Sequence, residues 1–256
     1  MPKTRSLLGF ILFISFSSSQ ADEIFKASRM ASDFSSPVTN SIPRTVLLSG
    51  AGLTIFLAIT KKNVAEPFRD DLRKNSIATQ LRPLGAFGGS GIANAAYAVG
   101  MLGDYFIRGS RKSLGNATLM SEATFYSAAL AYGLKETTHE PRPDRPKEMD
   151  SFPSGSSALS FSFASYVGAR HSIWWGAGAY TLATITAMSR LNRNRHYLHD
   201  VTAGATLGAA YGLGVYFQNF HKKNQKLGVN TQEDFKPEIL AWIDSEGLKI
   251  LATSHF

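Results

Sequence analysis

Apolar residues in this chain occur in long runs, and they do not alternate with polar residues as they would along half-buried strands. The runs are rich in Ala, Gly, Ser and Thr, and several contain no charged residue, a composition typical of closely packed helices. We therefore predict an all-α fold, a six-helix bundle. The six predicted helices cover residues 46–60, 84–107, 114–134, 156–168, 173–188 and 201–217.

The N-terminal residues have a different pattern. Lys3 and Arg5 precede an apolar run at 7–16, and small residues follow up to Ala21. This pattern predicts a signal peptide at 1–21, cleaved after Ala21. A short membrane anchor remains the alternative. The polar, Ser-rich segment 22–44 is predicted to be a leader into a helical domain at 45–220.

Two further segments stand outside the six helices. The charged stretch 61–80 is predicted to be an amphipathic surface helix. Residues 221–256 form a basic linker and a C-terminal tail, in which 239–243 and 248–252 flank a turn that contains Gly247. This spacing predicts a small hairpin, with a short helix as the alternative.

The apolar runs also raise the question of a membrane. Four of them reach roughly 16 residues with little charge, which makes spanning possible, although Asp104 and Glu122 interrupt two of the runs. Six full spans with the loops 135–150 and 190–200 outside require the first span to start in the cytoplasm, whereas a cleaved signal peptide would start it outside. The two predictions are therefore incompatible. We therefore favour an exported bundle in the cell envelope, periplasmic and either soluble or associated with the inner membrane, with its active site on the periplasmic side.

Charge narrows the possible partners. The formal net charge of +8 and the pI near 9.7 favour anionic partners such as phosphorylated compounds, an anionic membrane surface or nucleic acid. Basic residues interleaved with aromatic ones, which nucleic-acid modules use, are not apparent, so we expect no nucleic-acid partner. The chain contains no Cys, which excludes disulfides, thiolate metal sites and cysteine nucleophiles.

Three clusters between residues 135 and 200 contain groups suited to phosphate chemistry. Lys135 and Arg142 are cations of the kind that hold an oxyanion, although a rigid loop with exposed charges has the same sequence. Ser154, Gly155 and Ser156 precede or begin an apolar helix, so their backbone N–H groups are candidates for binding an anion. An ordinary capped helix start is the alternative.

The third cluster contains a candidate nucleophile. His196 and Asp200 are four residues apart at the entrance to the last apolar helix, which places both on one face. A carboxylate one turn away holds one ring N–H and leaves the other nitrogen free as a base or nucleophile. His199 is an alternative to His196, but we expect adjacent positions to aim His199 and Asp200 apart. A surface pair without function also fits.

Taken together, the three clusters resemble the type 2 phosphatidic acid phosphatase superfamily, which includes lipid phosphatases, bacterial acid phosphatases and vanadium haloperoxidases. Lys135 with Arg142-Pro143 matches its first motif. Pro153-Ser154-Gly155 matches most of the second, and Ser189-Arg190, His196 and Asp200 match the third. The resemblance covers roughly residues 46–218 and implies a helical bundle of this family's type.

The resemblance also implies roles for these residues. Lys135, Arg142 and Arg190 would bind phosphate oxygens, assisted by Ser154 and Gly155, and His196, oriented by Asp200, would attack phosphorus to form a phosphohistidine. Neither a metal nor another cofactor is expected, and vanadate should bind as a phosphate analogue.

Ser156 departs from the pattern, because that position in the family is a His that protonates the leaving oxygen. Loss of a general acid typically costs about 10²- to 10⁴-fold in rate. Three explanations remain open: an inactivated variant, a substrate with a good leaving group such as a diphosphate, or proton delivery by another group such as His139.

The sequence therefore predicts a metal-independent phosphatase for phosphate monoesters or diphosphates of lipids, which contacts a membrane surface. The main alternative is an inactive protein of the same fold that binds phosphorylated head groups. A haloperoxidase is a weaker enzymatic alternative.

Overall fold

The computed structural model of this protein describes residues 27–226, 238–244 and 247–253. The predicted signal peptide at 1–21 and its cleavage site lie outside the described residues. In chain order the described helices are α1 (Ala27–Phe34), α2 (Ser36–Thr39), α3 (Ser41–Ile59), α4 (Glu66–Lys74), α5 (Ser76–Gln80), α6 (Arg82–Gly88), α7 (Ile92–Arg108), α8 (Arg111–Thr138), α9 (Gly155–Arg170), α10 (Ile173–Asn192) and α11 (Leu198–Lys226), with one π-helical turn at Lys61–Ala65.

The predicted all-α bundle is confirmed. Among the described residues, six helices have at least 16 residues, namely α3, α7, α8, α9, α10 and α11. Each overlaps one of the six predicted segments. The apolar runs located these helices, and the observed helices extend beyond most of the predicted ends.

Two predicted helices are wrong in detail. The segment 84–107 is two helices, because α6 ends at Gly88 and Gly91 adopts φ = 82° before α7 begins. Glycine adopts this left-handed conformation without a steric penalty. The segment 61–80 is a π turn and two helices, and Asn75 separates the helices by accepting a hydrogen bond from the amide of Ala78 at 2.9 Å.

Close packing of α9 against α11 determines where the candidate site residues lie. Gly204, Gly208 and Gly212 are spaced by four residues along one face of α11. A Cβ atom at these positions would lie 2.2, 2.1 and 2.6 Å from the carbonyl oxygens of Ser154, Ala158 and Ser162. Because glycine has no Cβ, the two backbones approach until the start of α9 lies beside the start of α11.

The segment predicted as a polar leader contains α1 and α2, which pack against α11. Arg29 on α1 forms ion pairs with Asp33 at 3.4 Å and with Glu122 of α8 at 3.2 Å. The side chain of Asp33 is fully buried. The described part of 22–44 is therefore packed onto the helical body, while the proposed domain boundaries remain predictions.

The outer face of α3 is apolar and exposed. Only 17% of its most apolar 18-residue window is buried, and α3 is the one helix among the described residues that is long and apolar enough to cross a membrane. The sequence indicated four such segments. Trp174 and Trp175 at the start of α10 are also exposed.

The C-terminal hairpin is confirmed. Strands β1 (Glu238–Asp244) and β2 (Gly247–Thr253) pair antiparallel, with Leu240 opposite Leu251 and Asp244 opposite Gly247.

Candidate active site

The candidate site lies where the C-terminal end of α8, the loop that follows it, and the start of α11 meet. The ammonium group of Lys135 donates to the carbonyl oxygens of Asp150, at 2.5 Å, and Ser151, at 3.3 Å. The imidazole of His196 contacts the same Ser151 carbonyl group. Residues from the first and third predicted clusters therefore converge on the backbone of one loop.

The ring of His196 is held in one tautomer. Its Nδ1 atom lies 2.9 Å from the carbonyl oxygen of Ser151 and 3.5 Å from Oδ2 of Asp200. Since a carbonyl oxygen only accepts hydrogen bonds, Nδ1 carries the proton and Nε2 has a free lone pair. The residue as a whole is 4% exposed. Burial lowers the pKa of His196 in spite of the opposing influence of Asp200, which favours the neutral, nucleophilic form.

The carboxylate of Asp200 is fully buried and is held through Oδ2. Oδ2 accepts hydrogen bonds from the hydroxyl of Ser151 at 2.5 Å and from the amide of Tyr197 at 2.8 Å. Oδ1 lies 3.1 Å from Nε2 of His199. Burial acts to raise the pKa of Asp200, but His196, His199 and Ser151 together hold it below the usual range. The carboxylate is therefore ionised and fixed in orientation.

Arg142 and Arg190 differ in how far their donors are already used. Arg142 forms a bidentate pair with Asp150, with Nε to Oδ1 at 2.6 Å and Nη2 to Oδ2 at 3.0 Å. Arg190 donates from Nη2 to the carbonyl oxygen of Gly85 at 3.4 Å. Its Nε is buried and has no hydrogen-bond partner among the described residues. Arg190 therefore retains donors for an oxyanion, whereas Arg142 must share its donors with Asp150.

The ammonium group of Lys135 loses its proton more readily than that of an exposed lysine. Burial, reinforced by the charge of Arg142, lowers the pKa of Lys135 from 10.5 to about 8. At neutral pH the group is still mostly protonated and cationic, but it loses its charge in mildly alkaline solution.

The N-terminus of α9 offers two amides for an anion, whereas the sequence predicted three. Ser154 is the N-cap, and its hydroxyl oxygen accepts from the amide of Ser157. The Ser154 amide itself donates to the carbonyl oxygen of Asp200 at 2.9 Å and is not free. The amides of Gly155 and Ser156 occupy the first turn, where helical geometry provides no acceptor.

His199 also contacts Asp200, so the expectation that adjacent positions aim these side chains apart is wrong. Nε2 of His199 lies 2.9 Å from Oε2 of Glu140 and 3.1 Å from Oδ1 of Asp200. The three residues each place a potential metal ligand atom within 4.8 Å of the others. Because Nε2 faces two carboxylates, it carries a proton that a cation at this position would have to displace.

Comparison with known proteins gives a match to one family. Residues 116–224 match the PAP2 superfamily, and this range includes every predicted site residue from Lys135 to Asp200. The matched range is fewer than half of the 256 residues of the chain. The resemblance to type 2 phosphatidic acid phosphatases is thereby confirmed.

One matching relative is a lipid phosphatase by name. A 75-residue segment is 37% identical to the lipid A 1-phosphatase of Porphyromonas gingivalis, but it covers 27% of this chain and 17% of that protein. The crystal structure of Aquifex aeolicus LpxE matches with a TM-score of 0.51 and 21% identity over 60% of this chain and 95% of its own.

A second solved structure is the first transmembrane PAP2 type phosphatidylglycerolphosphate phosphatase from Bacillus subtilis. Its TM-score is 0.53, with 21% identity over 69% of this chain and 96% of its own. At this level of identity, the two solved structures show a shared fold.

Within the PAP2 region, three residues of the site were not predicted from the sequence. Asp150 pairs with Arg142, Ser151 binds both His196 and Asp200, and Glu140 pairs with His199. Their only signal is proximity in sequence, since Glu140 lies within the first cluster and Asp150 and Ser151 lie between the first and second clusters.

The two candidates for the proton donor are placed differently in this chain. Ser156 lies in the first turn of α9 against Gly89, where a Cβ atom on the glycine would approach the Ser156 Cβ to 2.7 Å. His139 is exposed at the C-cap of α8, with φ = 47°. Its side chain has no hydrogen-bond partner within the described segments.

Proposed function

We propose that this chain is a phosphatase that hydrolyses a lipid phosphate monoester or diphosphate through a phosphohistidine at His196. The observation that carries the proposal is the Ser151 carbonyl oxygen 2.9 Å from Nδ1 of His196, because it leaves Nε2 unprotonated. A buried imidazole with a free Nε2, next to several cations, is suited to attack on a phosphoryl group.

The phosphoryl group would be held by Lys135, Arg142 and Arg190 together with the amides of Gly155 and Ser156. These donors offset the negative charge of the phosphate oxygens as the transition state develops, which is where most of the rate enhancement in phosphoryl transfer arises. Arg142 would contact the phosphate while it remains paired with Asp150, whose pKa the guanidinium lowers.

The reaction would have two steps. In the first, Nε2 of His196 forms a bond to phosphorus as the bond to the leaving oxygen breaks. In the second, water attacks phosphorus, the N–P bond breaks and inorganic phosphate is released. Asp200 stabilises the imidazolium character of the ring in both steps, because its carboxylate lies 3.5 Å from Nδ1.

Ser156 points to a leaving group that needs little protonation. A serine hydroxyl does not ionise near neutral pH, so it cannot act as a general acid in place of an imidazole. When the substrate is a diphosphate, the leaving group is a stable phosphate anion. When it is an alkyl phosphate, the leaving group is an alkoxide, which requires a proton. His139 is the alternative donor, and its exposed position requires the substrate or the loop to bring it to the leaving oxygen.

A lipid substrate is supported by the names of the relatives and by the exposed apolar face of α3. We propose that this face contacts a membrane and that the protein lies in the cell envelope with its site on the periplasmic side. The mechanism assigns no step to a metal, since the three cationic side chains supply the positive charge.

The proposal is tested by phosphate release from phosphatidic acid, an isoprenoid diphosphate and an aryl phosphate, in the presence and absence of EDTA. We expect release that vanadate inhibits and EDTA does not, together with an acid-labile phosphoenzyme. His196→Ala should abolish both. Full activity in His196→Ala excludes the assigned nucleophile.

The second candidate function is phosphate head-group binding without catalysis. Ser156 favours it, because the cations are retained where the general acid is missing. This candidate predicts that purified protein binds phosphorylated head groups but forms no phosphoenzyme with any of the three substrates. Trapping of a phosphohistidine excludes it.

A further inference from the structure

The structure contains an open cavity of about 740 Å³ that is lined by none of the predicted catalytic residues. Its lining includes five cationic side chains, from α4, the start of α6 and the loop after α10, but only two carboxylates, Asp70 and Asp144. The five cations are Arg73, Lys74, Arg82, Arg193 and Arg195. Such an excess of positive charge in a concave surface attracts anions.

Two of the segments that line the cavity, the loop after α8 and the loop after α10, also carry residues of the candidate active site. Arg193 and Arg195 lie between the predicted phosphate ligand Arg190 and the nucleophile His196 in sequence, and the amide of Arg195 donates to the carbonyl oxygen of Arg190 at 3.0 Å. Since consecutive Cα atoms are about 3.8 Å apart, the Cα of Arg193 lies within about 11 Å of those of both residues. Asp144, two residues after Arg142, contacts Arg195 at 3.3 Å.

Several polar groups of the cavity lack partners. Nε of Arg193 and Oδ1 of Asn194 are buried without a hydrogen-bond partner among the described residues. Lys74 forms no ion pair in the described part of the chain. A buried donor and a buried acceptor on two residues that line one cavity suit a ligand that offers both an anionic oxygen and a hydroxyl group.

Not every cation in the lining is available. Arg82 is bound to the side chain and carbonyl oxygen of Asn192, so it ties α6 to the end of α10. Arg195 is paired with Asp144 at 3.3 Å, and Arg73 lies 3.6 Å from Asp70. Lys74 and Arg193 therefore lack an ion pair among the described residues, although Nη2 of Arg193 donates to the carbonyl oxygen of Arg82 at 3.2 Å. Arg73 lies next to Lys74 in the last turn of α4.

We propose that this cavity binds a second anionic group on the same substrate molecule whose terminal phosphate reacts at His196. The ligand is a phosphate-type oxyanion linked to the reacting phosphate through a short hydroxylated spacer, such as glycerol or a sugar. The inference rests on the proposed function and specifies its substrate class as a head group with two separated anionic groups.

The test compares phosphatidylglycerol phosphate, which has a phosphodiester and a hydroxyl group beside its terminal phosphate, with phosphatidic acid, which lacks both. The double variant Arg73→Gln/Lys74→Gln and the single variant Arg193→Gln remove cavity cations. The matched control is Arg111→Gln/Lys112→Gln, which removes two exposed charges from the far end of α8.

We expect KM for phosphatidylglycerol phosphate to rise about 10-fold in each cavity variant, as loss of a contact to a charged group implies. KM for phosphatidic acid and kcat for both lipids should change less than about 2-fold, as in the control. An equal rise for both lipids, or no rise for either, overturns the proposal.

Calorimetric binding of short-chain forms of both lipids to His196→Ala separates this inference from the proposed function. If the wild-type protein releases no phosphate, selective loss of phosphatidylglycerol phosphate binding in the cavity variants still supports anion binding in the cavity, while the phosphatase proposal fails.

Sedimentation with phosphatidylglycerol vesicles tests the other source of such anions. Loss of vesicle binding without loss of selectivity between the two lipids assigns the cavity to the membrane surface and overturns the proposal.

Discussion

The carbonyl oxygen of Ser151 accepts a hydrogen bond from Nδ1 of His196 at 2.9 Å, while the hydroxyl group of Ser151 donates to Asp200 at 2.5 Å. One residue thus fixes both members of the predicted catalytic pair. The geometry differs from a simple His–Asp pair, since the closest acceptor for the imidazole is a backbone carbonyl. Asp200 acts from 3.5 Å and is itself held by Ser151 and by the Tyr197 amide.

We predict that Asp200→Asn lowers kcat by about 10²- to 10⁴-fold, because the ring loses the charge that stabilises its imidazolium form. Ser151→Ala keeps the carbonyl contact but removes the hydroxyl group from Asp200, so we expect a smaller loss of about 10-fold. Steady-state kinetics with one soluble substrate measure both.

Ser121→Ala is the matched control, since its hydroxyl group bonds only to a carbonyl group within α8. Wild-type kcat in Ser151→Ala would contradict the proposed role of that hydroxyl group.

A second prediction concerns alkaline pH. The pKa of Lys135 is lowered to about 8, so its cationic form predominates below that pH and is lost as pH rises through it. We expect kcat/KM to fall with an apparent pKa near 8, because this ratio reports the free enzyme. A bound phosphate dianion favours the charged ammonium, so kcat should be less sensitive.

Lys135→Arg tests the assignment, because a guanidinium remains protonated throughout this range. The alkaline limb should move to higher pH in this variant even if overall activity falls. An unchanged limb assigns the titration to another group.

The long helices were predictable because their apolar runs exceed the length of any strand, and the motif residues were predictable because the family pattern fixes their order. The break at Gly89 to Gly91 was not, since glycine is also common inside packed helices such as α11. Only the structure distinguishes Gly91, with φ = 82°, from Gly208, which is helical.

The part of the site made by backbone groups was also beyond sequence reasoning. The side chain of Ser154 forms the predicted cap, but its amide is used by the Asp200 carbonyl group, a contact between segments 46 residues apart in the chain. Adjacent positions predicted that the side chains of His199 and Asp200 point apart, but Nε2 of His199 lies 3.1 Å from Oδ1 of Asp200. Residue spacing alone could not predict this contact.

A third prediction tests the glycine contact between α9 and α11. Gly208→Ala would place a Cβ atom 2.1 Å from the carbonyl oxygen of Ala158, so the helices must separate. We expect a destabilisation of about 1–3 kcal/mol or more, measured by thermal or denaturant unfolding. Activity should fall as well, because the starts of both helices carry the site.

Gly178→Ala on α10 is the control, since a Cβ atom there meets no atom within 4 Å. Because alanine is the better helix former, this variant should gain roughly 0.5–1 kcal/mol. Equal effects of the two substitutions would exclude helix packing as the cause.

The fourth prediction addresses the missing general acid. Ser156→His places an imidazole in the first turn of α9, where residue 156 is only partly buried. If proton delivery limits the reaction, turnover of an alkyl phosphate should rise by about 10²-fold or more, while an aryl phosphate, whose leaving oxygen needs no proton, should gain little. Phosphate release from both substrates over a range of pH measures the ratio of alkyl phosphate turnover to aryl phosphate turnover.

Ser156→Asn controls for side-chain size without adding a titrating group, and it should leave this ratio unchanged. Equal gains for both substrates in Ser156→His would show that position 156 affects binding of the phosphoryl group and does not supply the proton.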